Sequence, residues 1–204
     1  MAFRDLLVNV KKIDAETSVI HGIMNGSKEL NHQPLIFSNL TEAPNQSAAL
    51  NVLTRKRICE TFDVSPGELI DILAWAMNNP CEPEIIDSKL APVMENTREE
   101  VNLEKLPIPW HYPEDRGRYQ SASVIIAQYN GVRNMSFHRQ FLRDGNHTVS
   151  RFVPRHLRTM TDLAASQGKN VDIAVINGAD AVVLLAAAMS FTVDLDELTV
   201  AAAL

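Results

Sequence analysis

The sequence predicts an α+β protein, with a small N-terminal α/β region over residues 1–100 and a strand-rich domain with flanking helices over residues 101–204. Three observations lead there. An apolar fraction of 46% with 22% charged residues belongs to a chain that buries a core. Apolar spacing is mostly helical up to about residue 100 and mostly alternating after it. Between the two textures, Pro80, Pro83, Pro92, Pro107 and Pro109 break the chain into turns and extended segments.

The elements follow in order. Phe3–Val10 carries helix-like apolar spacing, and Ala15–Met24 reads as a second helix. Pro34–Leu40 (PLIFSNL) is a short apolar strand. Ser65-Pro66-Gly67-Glu68 has the form of a capping box with proline at the first helical position, so the apolar run Leu69–Met77 is expected to be helical. Ser121–Tyr129 reads as a strand and Asn130-Gly131 as a turn. Asn134–Leu142 alternates as one strand, Asp144-Gly145-Asn146 is a hairpin turn, and Thr148–Val153 is a third strand. Pro154 opens a helix to about Ser166, stopped at Gly168. Val171–Ile176 reads as a buried strand, Ala179–Met189 as an apolar helix, and Asp194–Leu204 as the start of another.

Bulk properties narrow the function. A net charge of −6 and a pI near 5.5 argue against a nucleic-acid partner, which needs a basic face. Cys59 and Cys81 have neither disulfide-framework nor metal-ligand spacing and read as reduced thiols. The start MAFRDLLVNVKK carries Arg4 and Asp5 within its apolar stretch, unlike a secretory signal. The most apolar window, Ala181–Met189, falls far short of the ~20 residues of a membrane span. A cytoplasmic protein without a membrane span is expected.

Two groupings carry chemistry. Asn134 follows the Asn130-Gly131 turn, His156 lies in the first turn of the helix after Pro154, and Glu197 opens the last helix. An amide oxygen, an imidazole and a carboxylate suit a fairly hard divalent ion such as manganese or magnesium better than zinc. Each also has a plain reading, His156 as a polar helix-start residue and Glu197 as a first-turn acid favoured by the helix dipole. The second grouping is Arg139, Arg151, Arg155 and Arg158 around that helix start. Arg139 and Arg151 are expected on strands joined by the hairpin, on one face. With the free N–H groups of the helix start they form an anion site fit for a phosphate, or a solvated basic edge. His21 and His32 read as surface residues, His111 as packed or cleft-lining, His147 as exposed, and Trp75 as helix core or interface.

The runs Asn134-Met135-Ser136-Phe137-His138-Arg139 and Arg151-Phe152-Val153-Pro154-Arg155-His156 resemble segments of the UbiD family of decarboxylases. So does Asp196-Glu197 through Ala201-Ala202-Ala203-Leu204. Leu106-Pro107-Ile108-Pro109 and Asp115–Tyr119 fit the family's entry into this domain, so the likeness covers roughly residues 100–204 in register. It implies a split β-barrel that binds prenylated FMN. Asn134, His156 and Glu197 would hold a divalent metal, manganese or magnesium, against the cofactor phosphate. Phe137, His138, Arg139, Arg151, Phe152, Val153, Arg155 and His156 would line the cofactor, and Arg139 would be the catalytic residue facing the substrate carboxylate. Ala186 and Met189 fall where family members offer carbonyls to potassium. The implied reaction is loss of carbon dioxide from a small α,β-unsaturated carboxylic acid, with a flavin prenyltransferase supplying the cofactor.

The variants NMSFHR and VPRHL are most similar to the family's archaeal branch, which implies anhydromevalonate phosphate, an isoprenoid precursor, as the substrate. Aromatic acids of the hydroxybenzoate type are the alternative substrates, and a non-catalytic flavin- or phosphate-binding protein is the alternative role. Ala202 stands where the family has glycine and Ala181 where proline is common. Family members also continue further, with acids that protonate the product and a C-terminal domain that supports oligomers. The expectation is therefore a truncated or split form, with a separate C-terminal subunit, that becomes a homo-oligomer when that domain is supplied.

Overall fold

A computed structural model describes residues 3–189, 192 and 195–204. The expected helix start at Asp194 lies outside the described residues. The N-terminal region forms a sheet of β1 (Lys11–Ile13), β2 (Leu35–Phe37) and β3 (Ala48–Leu50), parallel between β1 and β2 and antiparallel between β2 and β3. Helix α1 (Gly22–Glu29) makes the crossover and buries Ile23 with Val19, Leu35, Phe37 and Leu40.

The helix expected over Ala15–Met24 is therefore displaced. Thr17 and Ile20 instead make parallel bridges to Leu40 and Trp110. The run Thr-Ser-Val-Ile resists helix through its β-branched side chains, and the helix begins only after His21 turns left-handed at φ 62°. His21 is also not a plain surface residue. Its ring packs edge-on against Trp110 at 5.2 Å, and its Nε2 is buried.

Helix α2 (Arg55–Phe62) starts at a Thr54 cap, and α3 (Pro66–Asn78) at the expected capping box, with Ser65 and Glu68 bonding reciprocally. Trp75 lies on the outer side of α3, 56% exposed, so it is not helix core. From Asn79 to Arg118 the chain is extended with short 3-10 turns, as its prolines require.

The C-terminal half is organised around one alternating strand. Antiparallel β5 (Val124–Tyr129) is flanked by β6 (Val132–Phe137) and β9 (Ile173–Ile176), in the order β6-β5-β9. Val124 and Ile126 face one core with Met135, together with α5 (Ala181–Ala188) and α6 (Glu197–Ala203). Ile125 and Ala127 face the other, covered by Leu157 and Met160 of α4 (His156–Ser166). This is the period-2 alternation of a strand buried on both faces. Asn130 and Gly131, at φ 49° and 80°, close the β5–β6 hairpin with the positive φ pair that matches strand twist. Among the described residues, no helix is long and apolar enough to cross a membrane.

Two strand expectations change. Asn134–Leu142 is not one strand. It divides at His138-Arg139 into β6 and β7 (Gln140–Leu142), and β7 pairs with β4 (Tyr119–Gln120) and β8 (Thr148–Ser150) in a separate sheet. The two sheets do not close into one barrel among the described residues. Val171–Ile176 is not buried: Ile173 is 48% and Val175 37% exposed, because β9 is an edge strand.

The core also takes in the N-terminus. Leu6, in the 3-10 helix Phe3–Leu7, is 1% exposed and packs with Val124, Met135 and Leu184. Arg57 holds this segment by donating from Nη2 to the carbonyls of Leu6 and Val8, both at 2.6 Å. Leu6→Ala is expected to cost about 2–5 kcal/mol by leaving a cavity. Denaturant unfolding measures this, and a loss under about 1 kcal/mol would contradict the packing.

Candidate metal and cofactor site at the β6 edge

Strand β6 is the edge of its sheet, with α5 and α6 packed against it on one face and α4 covering the neighbouring β5 on the other. Asn134 and Ser136 lie opposite Ala127 and Ile125, so they share the face covered by α4. Glu197 is the first residue of α6, on the other face. Its carboxylate reaches the strand edge, where Oε2 accepts the Met135 N–H at 2.8 Å and Oε1 accepts Asn134 Nδ2 at 2.8 Å. Asn134 is 4% and Glu197 3% exposed.

Burial pushes the Glu197 carboxyl above its ordinary range. The Met135 N–H, its own N–H, His156 and Asn134 pull the other way. His156 thus stands close enough to act on Glu197, from the first residue of α4. Among the described residues no cluster of three His, Cys, Asp or Glu side chains has metal-binding geometry. Asn134 brings an amide beside the Glu197 carboxylate, with His156 near by.

A polar chain continues along β6. The Ser136 hydroxyl donates to Asn134 Oδ1 at 3.2 Å and lies 2.9 Å from His138 Nε2. Both contacts are satisfied when neutral His138 carries its proton on Nε2. The ring of His138 meets Phe152 edge-on at 5.0 Å and 77°. Burial lowers its pKa. A histidine held neutral adds stability above its unfolded value, about 6.5, and that stability is lost as pH falls through the lowered folded value. The wild-type chain is therefore expected to lose more stability between pH 7.5 and 5.5 than His138→Gln. Equal losses would contradict the assigned burial.

Arg139 sits in the connector between β6 and β7, and Arg151 just past β8, so neither is on a strand as expected. The β7–β8 register pairs Gln140 with Ser150. Arg139 and Arg151 are the residues next to that pair, beyond the end of the ladder. The connector is held from below by buried polar groups. Ser123 Oγ donates to the His138 carbonyl at 3.2 Å and accepts from Gln140 Nε2 at 3.0 Å, while Thr148 Oγ1 donates to Gln140 Oε1 at 3.0 Å.

Arg151, Phe152 and Arg158 line a cleft of about 550 Å³ with Ser150, Pro154, Thr161 and Asp162. Arg158 is engaged there by Asp162, at 2.7 Å, so the arginine group is not uniformly turned to one ligand. Arg155 is the N-cap residue of α4, with an exposed side chain, and Val153 is 50% exposed. Phe137 is half-buried against the α5–α6 core. The Ala186 carbonyl accepts the Met189 N–H at 3.1 Å.

Sequence reasoning missed Ser123, Ser136, Gln140 and the Arg133–Asp196 pair. A polar residue inside an apolar strand pattern, as at Ser123 or Gln140, was the available signal.

Known proteins share this arrangement of sheets and helices. The UbiD-class enzyme HmfF of Pelotomaculum thermopropionicum, in an evolved dimeric form in complex with prFMN, superposes with a TM-score of 0.92 at 28% identity. The match covers 99% of this chain and 50% of that one. Vanillic acid decarboxylase of Sedimentibacter hydroxybenzoicus, at 17% identity and a TM-score of 0.89, shares the fold. Residues 84–204 match the UbiD family, described as the 3-octaprenyl-4-hydroxybenzoate carboxy-lyase Rift-related domain, and the chain belongs to that family. Anhydromevalonate phosphate decarboxylase of Methanothermobacter thermautotrophicus is 34% identical over 172 residues, covering 82% of this chain and 39% of that protein. The chain spans half or less of the length of these relatives.

Proposed function

We propose that this chain carries the cofactor and metal centre of a carboxy-lyase that removes carbon dioxide from an α,β-unsaturated acid, using prenylated FMN and a divalent ion, manganese or magnesium. The observation that carries the reading is the Glu197 carboxylate. It is buried, accepts from two neutral donors, and has the His156 ring close enough to act on it. A buried carboxylate without a cation is costly, and each of its oxygens keeps a lone pair for one. The donor set fits a hard divalent ion.

In this reading Asn134, His156 and Glu197 would hold the metal, whose charge would serve the cofactor phosphate. Asn134 offers Oδ1, since its Nδ2 is committed to Glu197. Phe137, His138, Arg139, Arg151, Phe152, Val153 and Arg155 line the flavin. The Ala186 and Met189 carbonyls are the candidate potassium ligands. Prenylated FMN, when bound, supplies the electron sink for decarboxylation. Arg139 binds the substrate carboxylate through its guanidinium fork and keeps it aligned for loss of carbon dioxide.

The two C-terminal sheets are read as parts of a split β-barrel, and the unit that binds the flavin as starting near residue 100. The name shared by archaeal relatives favours anhydromevalonate phosphate as the substrate. Because those relatives are longer, turnover is assigned to the assembled family fold. Its remaining part comes from the same or a second polypeptide, and homo-oligomerisation goes with that part. A cytoplasmic location fits a cofactor delivered by a flavin prenyltransferase.

Co-expression with a flavin prenyltransferase tests this. The purified chain is expected to carry flavin absorbance, a prenylated FMN mass and one divalent metal per flavin. A chain that holds neither flavin nor metal would overturn the proposal.

A further inference from the structure

We propose that the Arg133–Asp196 ion pair is the latch that sets Glu197 against Asn134, making Arg133 and Asp196 positioning residues of the metal site. This rests on the reading of Asn134, His156 and Glu197 as the metal set. Each latch residue directly precedes a candidate ligand, Arg133 before Asn134 on β6 and Asp196 before Glu197 on α6. The two links therefore lie side by side between the same two elements.

Asp196 divides its carboxylate. Oδ1 caps α6 by accepting the Leu198 N–H at 2.9 Å. Oδ2 accepts both Nε and Nη2 of Arg133, at 2.7 and 2.5 Å. One side chain thus starts the helix that carries Glu197 and ties that start to the strand that carries Asn134. The pair is also sheltered. Its side chains are 30% and 24% exposed, against 84% and 59% for the surface pair Lys56–Glu60. Exposed pairs of that kind contribute little. Here a guanidinium with two donors on one carboxylate oxygen fixes a direction as well as a distance. Loss of the latch leaves the fold's apolar contacts in place and frees the first residue of α6 to move away from the strand edge.

The test is a titration of the full chain with Mn2+ in saturating FMN, reading free Mn2+ by electron paramagnetic resonance, alongside thermal unfolding. Arg133→Gln removes the charge. Asp196→Asn keeps a good helix cap and removes the ion pair. Each is expected to weaken Mn2+ binding by roughly 10–100-fold, the effect typical of residues that orient a metal ligand. The double variant should be no weaker than the worse single one, because both break the same link. Arg133→Lys should recover part of the affinity. Ser65→Ala, which loses the α3 cap, should lower the melting temperature and leave Mn2+ affinity unchanged.

Mn2+ affinity within about twofold of wild type in both single variants, or a Ser65→Ala loss as large as theirs, overturns the latch. If Arg133→Gln does not fold, Asp196→Asn decides by the same criterion. If the wild-type chain binds no Mn2+, the metal reading falls and this inference with it. Wild-type binding with unaltered variants removes the latch alone.

Discussion

Glu197→Gln is expected to strip the chain of its metal and weaken its hold on flavin, with a loss beyond the roughly 10–100-fold typical of residues that only orient a ligand. The change is nearly isosteric, so the effect is chemical. The carboxylate accepts from Asn134 Nδ2 on one oxygen and from the Met135 N–H on the other. A glutamine must turn its NH2 group toward one of those donors, so that contact survives only by reversing the Asn134 amide and breaking its bond from Ser136, and it removes the negative charge a cation needs. A pH signature accompanies this. The folded-state pKa of Glu197 is raised by burial. Its contribution to the metal-free chain is thus fully present below the unfolded value and is lost as pH rises through the raised one. Without metal, the wild-type chain should lose stability over that rise and Glu197→Gln should not. Chelated samples followed by urea unfolding across pH measure this. Parallel curves, with metal affinity retained, contradict both the site and the burial.

Arg139→Ala is expected to lower turnover by roughly 10²–10³-fold in the assembled enzyme, the usual loss when one charge-stabilising donor is removed. Stability should stay within about 0.5 kcal/mol, since the side chain is exposed. The backbone around it survives the change. The Ser123 hydroxyl and Gln140 hold the connector through groups other than the arginine. Arg139→Lys keeps the charge and loses the planar fork, so it should recover only part of the rate. Carbon dioxide release from anhydromevalonate phosphate, the proposed substrate, is the assay. Turnover that persists in Arg139→Ala removes its assigned role.

What was legible in the sequence is local. The Ser65–Glu68 capping box and the Asn130-Gly131 turn each encode their geometry in a few adjacent residues, and both form. The placement of His156 and Glu197 at helix starts was readable for the same reason, whereas Asn134, expected to open a strand, lies inside β6, which starts at Val132. The proximity of the three was not, because it depends on tertiary packing, with α6 against the edge strand β6 on one face and α4 against β5 on the other. The misread segments failed through tertiary pairing. Thr17 and Ile20 carry apolar spacing that also fits a helix, yet they bridge to Leu40 and Trp110. The Asn134–Leu142 run alternates throughout, and nothing local marks His138-Arg139 as the crossing between two sheets. Arg158 looked like part of an anion site until Asp162, one turn later, engaged it.

The most direct test of the central claim is a crystal structure of the cofactor-loaded chain with anomalous scattering recorded at the manganese edge. One strong peak is expected beside the flavin phosphate, bounded by Asn134 Oδ1, the His156 ring and the Glu197 carboxylate. Flavin bound elsewhere, or a manganese peak that excludes Glu197, would contradict it.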